Sequence, residues 1–234
     1  MKLLLTITAI VSFSIACSSQ QMTLTEWNEQ AKSNIRLSPK YGHAKKTEEQ
    51  KSIDKDFVEA TLKTYPVIRK ASDHLIELGF KYLYKDVKTA MYRFNQAYLL
   101  DSSNIDIYWG YAAVYMVLGD YQKAKLQYND GLLIEPANTH LLTDYGTYFM
   151  AQYYQLQPIN EKNALVQLDS ALYYLTKSYR INSKDPNTTF KLSACYYQKK
   201  DCKNAWRYYD ECAALGGQPI SEDFTNALKA ACKK

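Results

Sequence analysis

The stretch from Asn104 to Asn138, NIDIYWGYAAVYMVLGDYQKAKLQYNDGLLIEPAN, decides the fold. Tyr108, Tyr111, Ala112 and Tyr115 recur at helical spacing, Gly119-Asp120 interrupts the run, and Ala124, Tyr128, Gly131 and Ile134 carry a second helix that stops before Pro136. The pattern predicts two antiparallel helices. Ala112, Ala124 and Gly131 are small where the helices approach, and the large residues between them wedge against a neighbouring hairpin. One such hairpin cannot bury its apolar face alone, so it needs copies of itself.

The copies are present. Ala90, Ala124, Ala171 and Ala205 are separated by 34, 47 and 34 residues. Phe94, Tyr128, Leu175 and Tyr209 each follow their alanine by four, and Asp86, Asp120 and Asp201 each precede one by four. This register resembles the tetratricopeptide repeat, with Tyr108 for the usual Trp, Tyr111-Ala112 for the usual Leu-Gly and Gly131 for the usual Ala. The resemblance implies an all-α solenoid of about four helix-turn-helix repeats across residues 67–217. It also implies a surface that holds other proteins. The third copy carries 13 extra residues (47 minus 34) near 155–170. Pro158 marks a break there and the following run adds turns to the second helix, so a lengthened hairpin is expected to protrude.

Flanking segments read as caps. Gly216-Gly217 and Pro219 end the array, and Ser221 with Glu222-Asp223 starts an amphipathic helix through Phe224 and Leu228, so 218–234 is a C-terminal capping helix. Residues 53–66 read as an N-terminal capping helix presenting Ile53, Phe57 and Leu62 and ending at Pro66. Residues 17–52 are polar and mixed in charge apart from Trp27 and Ile35, and read as a tether that contact with the array can order in part.

Residues 1–16 read as a signal peptide, with Lys2, an apolar stretch from Leu3 to Phe13 too short to span a bilayer, and Ser14-Ile15-Ala16 before Cys17. Ser14-Ile15-Ala16-Cys17 resembles the lipobox of bacterial lipoproteins, with Ser14 in place of the usual Leu. That resemblance implies a lipid on Cys17 and, since Ser18 is not the Asp that retains lipoproteins at the inner membrane, an outer-membrane address. Ordinary secretion is the alternative. The tetratricopeptide lipoproteins of bacterial envelopes are the overall likeness. Pro39-Lys40-Tyr41-Gly42, Arg93-Phe94-Asn95-Gln96-Ala97-Tyr98 and Tyr108-Trp109-Gly110 resemble a Bacteroidetes-type group of that kind.

Charge and chemistry exclude other classes. The net charge of +5 becomes +4 once Lys2 leaves with the signal, and no helix carries a basic stripe, which argues against nucleic acid as a partner. His43, His74 and His140 are isolated, and no phosphate loop or catalytic constellation accompanies them, so no enzyme and no cofactor are expected. No CxxC or Cys/His cluster suggests a metal. Cys195, Cys202, Cys212 and Cys232 would lie in an oxidising compartment. Cys202 and Cys212 sit about 15 Å apart on one helix and cannot pair. Folding the last helix back brings Cys232 to Cys202, which is the first choice; Cys195–Cys202 and four free thiols remain open.

Repeat geometry points Ile76, Phe80, Leu83, Trp109, Ala113, Met116, Thr147, Met150, Phe190 and Tyr197 into a groove on the first-helix face, with Thr143 and Ala194. This groove reads as apolar. It suits a hydrophobic or amphipathic segment of an envelope protein, unless residues 18–52 fill it through Trp27 and Ile35. A non-catalytic, membrane-anchored adaptor is the first functional expectation. A structural or localising subunit of an envelope enzyme or assembly, with the chemistry in another chain, is the second.

Overall fold

The computed structural model describes residues 22–233. The expected signal peptide, residues 1–16, and the expected lipidation site, Cys17, lie outside them. Every described element is helical. The array is α3 (Ile68–Tyr82) with α4 (Val87–Leu100), α5 (Asp106–Leu118) with α6 (Tyr121–Ile134), α7 (Thr139–Leu156) with α8 (Glu161–Ile181), and α9 (Pro186–Gln198) with α10 (Cys202–Ala214). Ahead of it come α1 (Leu24–Ala31), two 3-10 turns (Ile35–Leu37 and Pro39–His43) and α2 (Glu48–Thr64); α11 (Glu222–Ala231) follows it.

The repeated residues explain the hairpins. Asp86, Asp120 and Asp201 are N-caps of the second helices, each accepting backbone N–H groups of its helix's first turn. Gly119 closes α5 at φ 74°, a left-handed position that glycine fills without Cβ strain. Ala90, Ala124, Ala171 and Ala205 are fully buried at the helix crossings. Phe94 then wedges between hairpins so closely that a Cβ on Gly79 or Gly110 would stand 2.3 Å from its ring. Leu175 lies the same way against Gly146. Burial of a side chain such as Phe94 stabilises the stack by about 1.5–3 kcal/mol.

The third hairpin is the long one. Its helices have 18 and 21 residues, against 13 and 14 in the second. The added turns pack on each other through buried Tyr153, Ala164 and Leu168. At the open end α11 lays Leu228 against Trp206. There Cys202 is disulfide-bonded to Cys232 with Cα atoms 5.2 Å apart, and Trp206 Nε1 donates to the Cys232 carbonyl at 2.9 Å. Cys195 and Cys212 are free and buried; burial pushes the Cys195 thiol up to about 12.

Contact with the array orders the described part of the N-terminal region. From Met22 to His43 it is a folded arm with Trp27 and Leu37 in the main core. The helix expected from 53 begins at Glu48 because Thr47 and Gln50 form a reciprocal capping box. Ile53, expected on its packing side, is 60% exposed.

Candidate partner-binding face

The two faces of the array are built differently. Across α4, and reaching α5 and α6, lies the arm, held by polar groups that the repeat pattern does not require. Asn95 on α4 is fully buried and donates through Nδ2 to the carbonyls of Arg36 and Ser38, at 2.8 and 3.0 Å. Its Oδ1 accepts from the Tyr111 hydroxyl at 2.8 Å and from the Tyr41 N–H at 3.4 Å. The Tyr111 hydroxyl in turn accepts from the Lys40 N–H at 3.0 Å. These bonds hold an unusual turn, in which Lys40, Tyr41, Gly42 and His43 all have φ between 53° and 63°. Left-handed backbone costs a non-glycine residue about 1–2 kcal/mol, so tertiary contacts must supply the difference. Lys40 Nζ adds a bond to the Tyr108 hydroxyl at 2.6 Å. Asn34 donates to the Tyr92 hydroxyl at 2.9 Å, and the Arg36 guanidinium lies 3.8 Å over the Tyr92 ring.

The first-helix face is left open by that arrangement. Phe80, Leu83, Trp109, Ala113, Met116 and Thr147 line one depression of about 610 Å³, together with Asp144 and Lys191. It continues past Trp109 into a second of about 530 Å³ lined by His140, Asp144, Asp185, Asn187 and Lys191. Trp27 packs in the core and neither it nor Ile35 lines either depression, so the arm does not fill this groove.

Four of the expected groove residues have other surroundings. Ile76 is 5% exposed and packed in the core of the first two hairpins. Met150 lies against the core of the lengthened third hairpin. Phe190 and Tyr197 meet Phe224 of α11, with ring centroids 5.1 and 5.8 Å away. The cap docks where a fifth first helix would sit, and so covers that end of the groove.

The groove is also not wholly apolar. Trp109 tilts onto Phe80 at 4.0 Å, stacks on His140 at 4.5 Å, and its indole N–H donates to Asp144 at 2.5 Å. Burial pushes the Asp144 carboxyl above its ordinary range, outweighing the attraction of Lys191 and the indole bond. His140 Nδ1 lies 3.1 Å from Asp106 Oδ2, and this hydrogen bond raises the imidazole above its usual value despite burial. For Asp106, burial alone acts upward, but bonds to His140 and Asn138 outweigh it and the carboxyl is held low. The signal for this centre is Asp144 itself, a charge inside the run Leu141-Leu142-Thr143-Asp144-Tyr145. Position rules point Trp109 at solvent and do not foresee that it joins three hairpins.

Among the described residues, no group of three His, Cys, Asp or Glu is arranged to hold a metal ion, and no helix is long and apolar enough to cross a membrane. The arrangement offers an aromatic floor, a mixed-charge end and room for a side-chain-bearing segment.

No family model matches the sequence, and no curated protein matches it. Among solved structures, the chain is similar to a thermophilic tetratricopeptide protein of Thermus thermophilus. The TM-score is 0.57 at 17% identity, over 68% of this chain and 80% of that one. MamA aligns with a TM-score of 0.44 at 14% identity, over 74% of this chain and 96% of its own. PilF of Pseudomonas aeruginosa aligns with 0.35 at 19%, over 70% and 90%. With the register of Ala90, Ala124, Ala171 and Ala205 and the hairpin stack described above, the likeness to the Thermus protein makes the fold an all-α solenoid of tetratricopeptide type.

Proposed function

We propose that this chain is a membrane-anchored, non-catalytic adaptor that holds an envelope protein on the first-helix face of its array. The observation that carries the reading is the asymmetry of the two faces. On the second-helix side the chain's own arm covers α4 and reaches α6, while the side lined by Phe80, Trp109, Met116 and Thr147 stays open. Large half-buried aromatics in a depression are the residues that most often dominate an interface. The anchor rests on Cys17 and its lipobox-like context, and the outer membrane is its address on the same reasoning.

The experiment is capture of the tagged mature lipoprotein from crosslinked envelopes, identification of the companion, and measurement of that pair with purified components. Met116→Glu is expected to weaken the pair at least about tenfold, and Lys125→Glu on the exposed side of α6 to leave it unchanged. Equal affinity of both variants would remove the groove from the reading. Cys17→Ser is expected to abolish the lipid mass increment and release the protein from membranes; an unchanged membrane fraction with normal processing refutes the anchor.

A further inference from the structure

We infer that the tip of the third hairpin is a second membrane contact, dipping into the headgroup region of the bilayer that holds the lipid on Cys17. The inference rests on that anchor reading and on where the described chain begins. Five residue steps separate Cys17 from Met22, so the tether spans at most about 18 Å. Met22 lies beside Lys85, Asp86 and Val87, at the turn between α3 and α4. α1 then follows this edge, with Lys88 bonded to Gln30 and Lys123, just after the α5–α6 turn, bonded to Asn28. Stacked hairpins have all their internal turns on one edge. The lipid is therefore confined to the edge from which the third hairpin protrudes.

The length of that protrusion follows from the register. α8 begins ten residues before Ala171, whereas α6 begins three before Ala124; α7 runs ten residues past Gly146, whereas α5 runs six past Ala112. Seven and four added residues at 1.5 Å each carry the tip about 6–10 Å beyond its neighbours, within the reach of the tether. Buried Tyr153, Ala164 and Leu168 stiffen the extension from within.

Its outer surface sets apolar side chains among the exposed Gln155, Gln157, Asn160, Glu161, Lys162 and Asn163. Ile159 is 80% exposed, Val166 55%, Tyr154 47% and Leu165 38%, with Pro158 between them. The turn backbone is closed on itself, since the N–H groups of Ile159 and Asn160 both donate to the Leu156 carbonyl. Asn160 also caps α8. Apolar side chains over satisfied backbone, with a tyrosine at the rim, suit the boundary between headgroups and acyl chains. Leu133, at 84%, is equally exposed, but it lies at the far end of α6 on the opposite edge. It is the natural control.

The test uses the full lipidated protein in vesicles of phosphatidylethanolamine and phosphatidylglycerol. Ile159→Cys and, separately, Leu133→Cys carry an environment-sensitive fluorophore, and lipids bearing a nitroxide near the headgroup serve as quencher. The label at 159 is expected to shift to the blue and to lose about half its emission to the quencher, and the label at 133 to do neither. Equal responses at both sites, or none at 159 in protein whose lipid mass is verified, overturn the tip contact and leave the anchor standing. A label at 159 that responds to an added envelope protein and not to the vesicles makes the tip a protein-binding element and overturns it too. Protein that carries no lipid when expressed with its signal refutes the anchor, and the tip contact with it.

Discussion

Asn95, fully buried beneath the arm, and Asp144, half-buried on the first-helix face, are satisfied in opposite ways. On the second-helix face, Asn95 has its amide and its carbonyl engaged by the arm and by Tyr111. On the first-helix face, Asp144 takes the Trp109 indole proton and is still driven above its ordinary pKa, so desolvation there exceeds what the chain returns. A neutral amide can be completed by backbone groups of one strap, whereas the desolvation of a half-buried carboxylate is only partly offset by one indole and a neighbouring lysine. The difference separates an amide whose hydrogen bonds are completed within the molecule from a carboxylate whose desolvation is only partly offset.

If that contrast holds, the largest effect should come from Asn95→Ala. The change strips partners from the Arg36 and Ser38 carbonyls, the Tyr41 N–H and the Tyr111 hydroxyl together. With each orphaned buried group costing about 1–3 kcal/mol and part of the loss recovered by water, roughly 3–5 kcal/mol of arm docking should vanish. Trp27 would then move from a site 1% exposed into solvent. Its emission should shift to the red, and trypsin should cut at Lys32 or Lys40 much faster than in the array. An arm that stays protected in the variant would show that Trp27 and Leu37 hold it without the amide.

This arm is also the clearest case of what the sequence hides. The hairpins are legible because their information is local and repeated. A small residue falls at each crossing, an aspartate caps three of the second helices, and a turn like Gly119-Asp120 recurs within each hairpin in kind if not in letter. The third hairpin's lengthening is legible for the same reason, as residues in excess of a period. Asn95 acts on residues 54 to 59 positions away, and the left-handed turn at Lys40–His43 runs against the local preference of three of its four members. No window of sequence carries that signal. Gly110 is similar, since its need for a bare Cα arises from Phe94 of another hairpin. The groove is legible in part: spacing finds Phe80, Trp109, Met116 and Thr147, but the docking of Phe224 over Phe190 and Tyr197 depends on how a separate helix returns.

A smaller effect, on the other face, sharpens the comparison. Trp109→Phe keeps an aromatic ring between Phe80 and His140 but removes the indole N–H from Asp144. A half-buried carboxylate deprived of its donor should cost about 1 kcal/mol near neutral pH. The sign with pH is fixed by linkage. Asp144 has a folded pKa above its unfolded value, and losing the donor raises it further, so the penalty grows as pH climbs past the unfolded carboxylate range and shrinks in acid. Denaturant melts at about pH 4 and pH 7 should therefore separate the variant from the wild type more widely at the higher pH. A pH-independent difference would mean that the loss is one of packing.

The smallest expected effect belongs to His140, which stacks on the same Trp109 ring and faces Asp106 from α5, Asp144 on its own helix and Asp185 ahead of α9. Hydrogen bonding to Asp106 raises the folded pKa above the unfolded value, so the stabilisation is fully present below about 6.5 and is lost as pH rises through the raised folded value. The imidazole is half exposed, with 53% of its side chain accessible, and solvent screening reduces the gain to a few tenths of a kcal/mol, as for other exposed pairs. His140→Gln preserves a donor for Asp106 without the titration. The stability of wild type relative to this variant should fall between about pH 6 and pH 8 and level off on either side. Parallel curves across that window would mean that His140 adds ring stacking on Trp109 and nothing more, and the open face would then be defined by Asp144 and Lys191 alone.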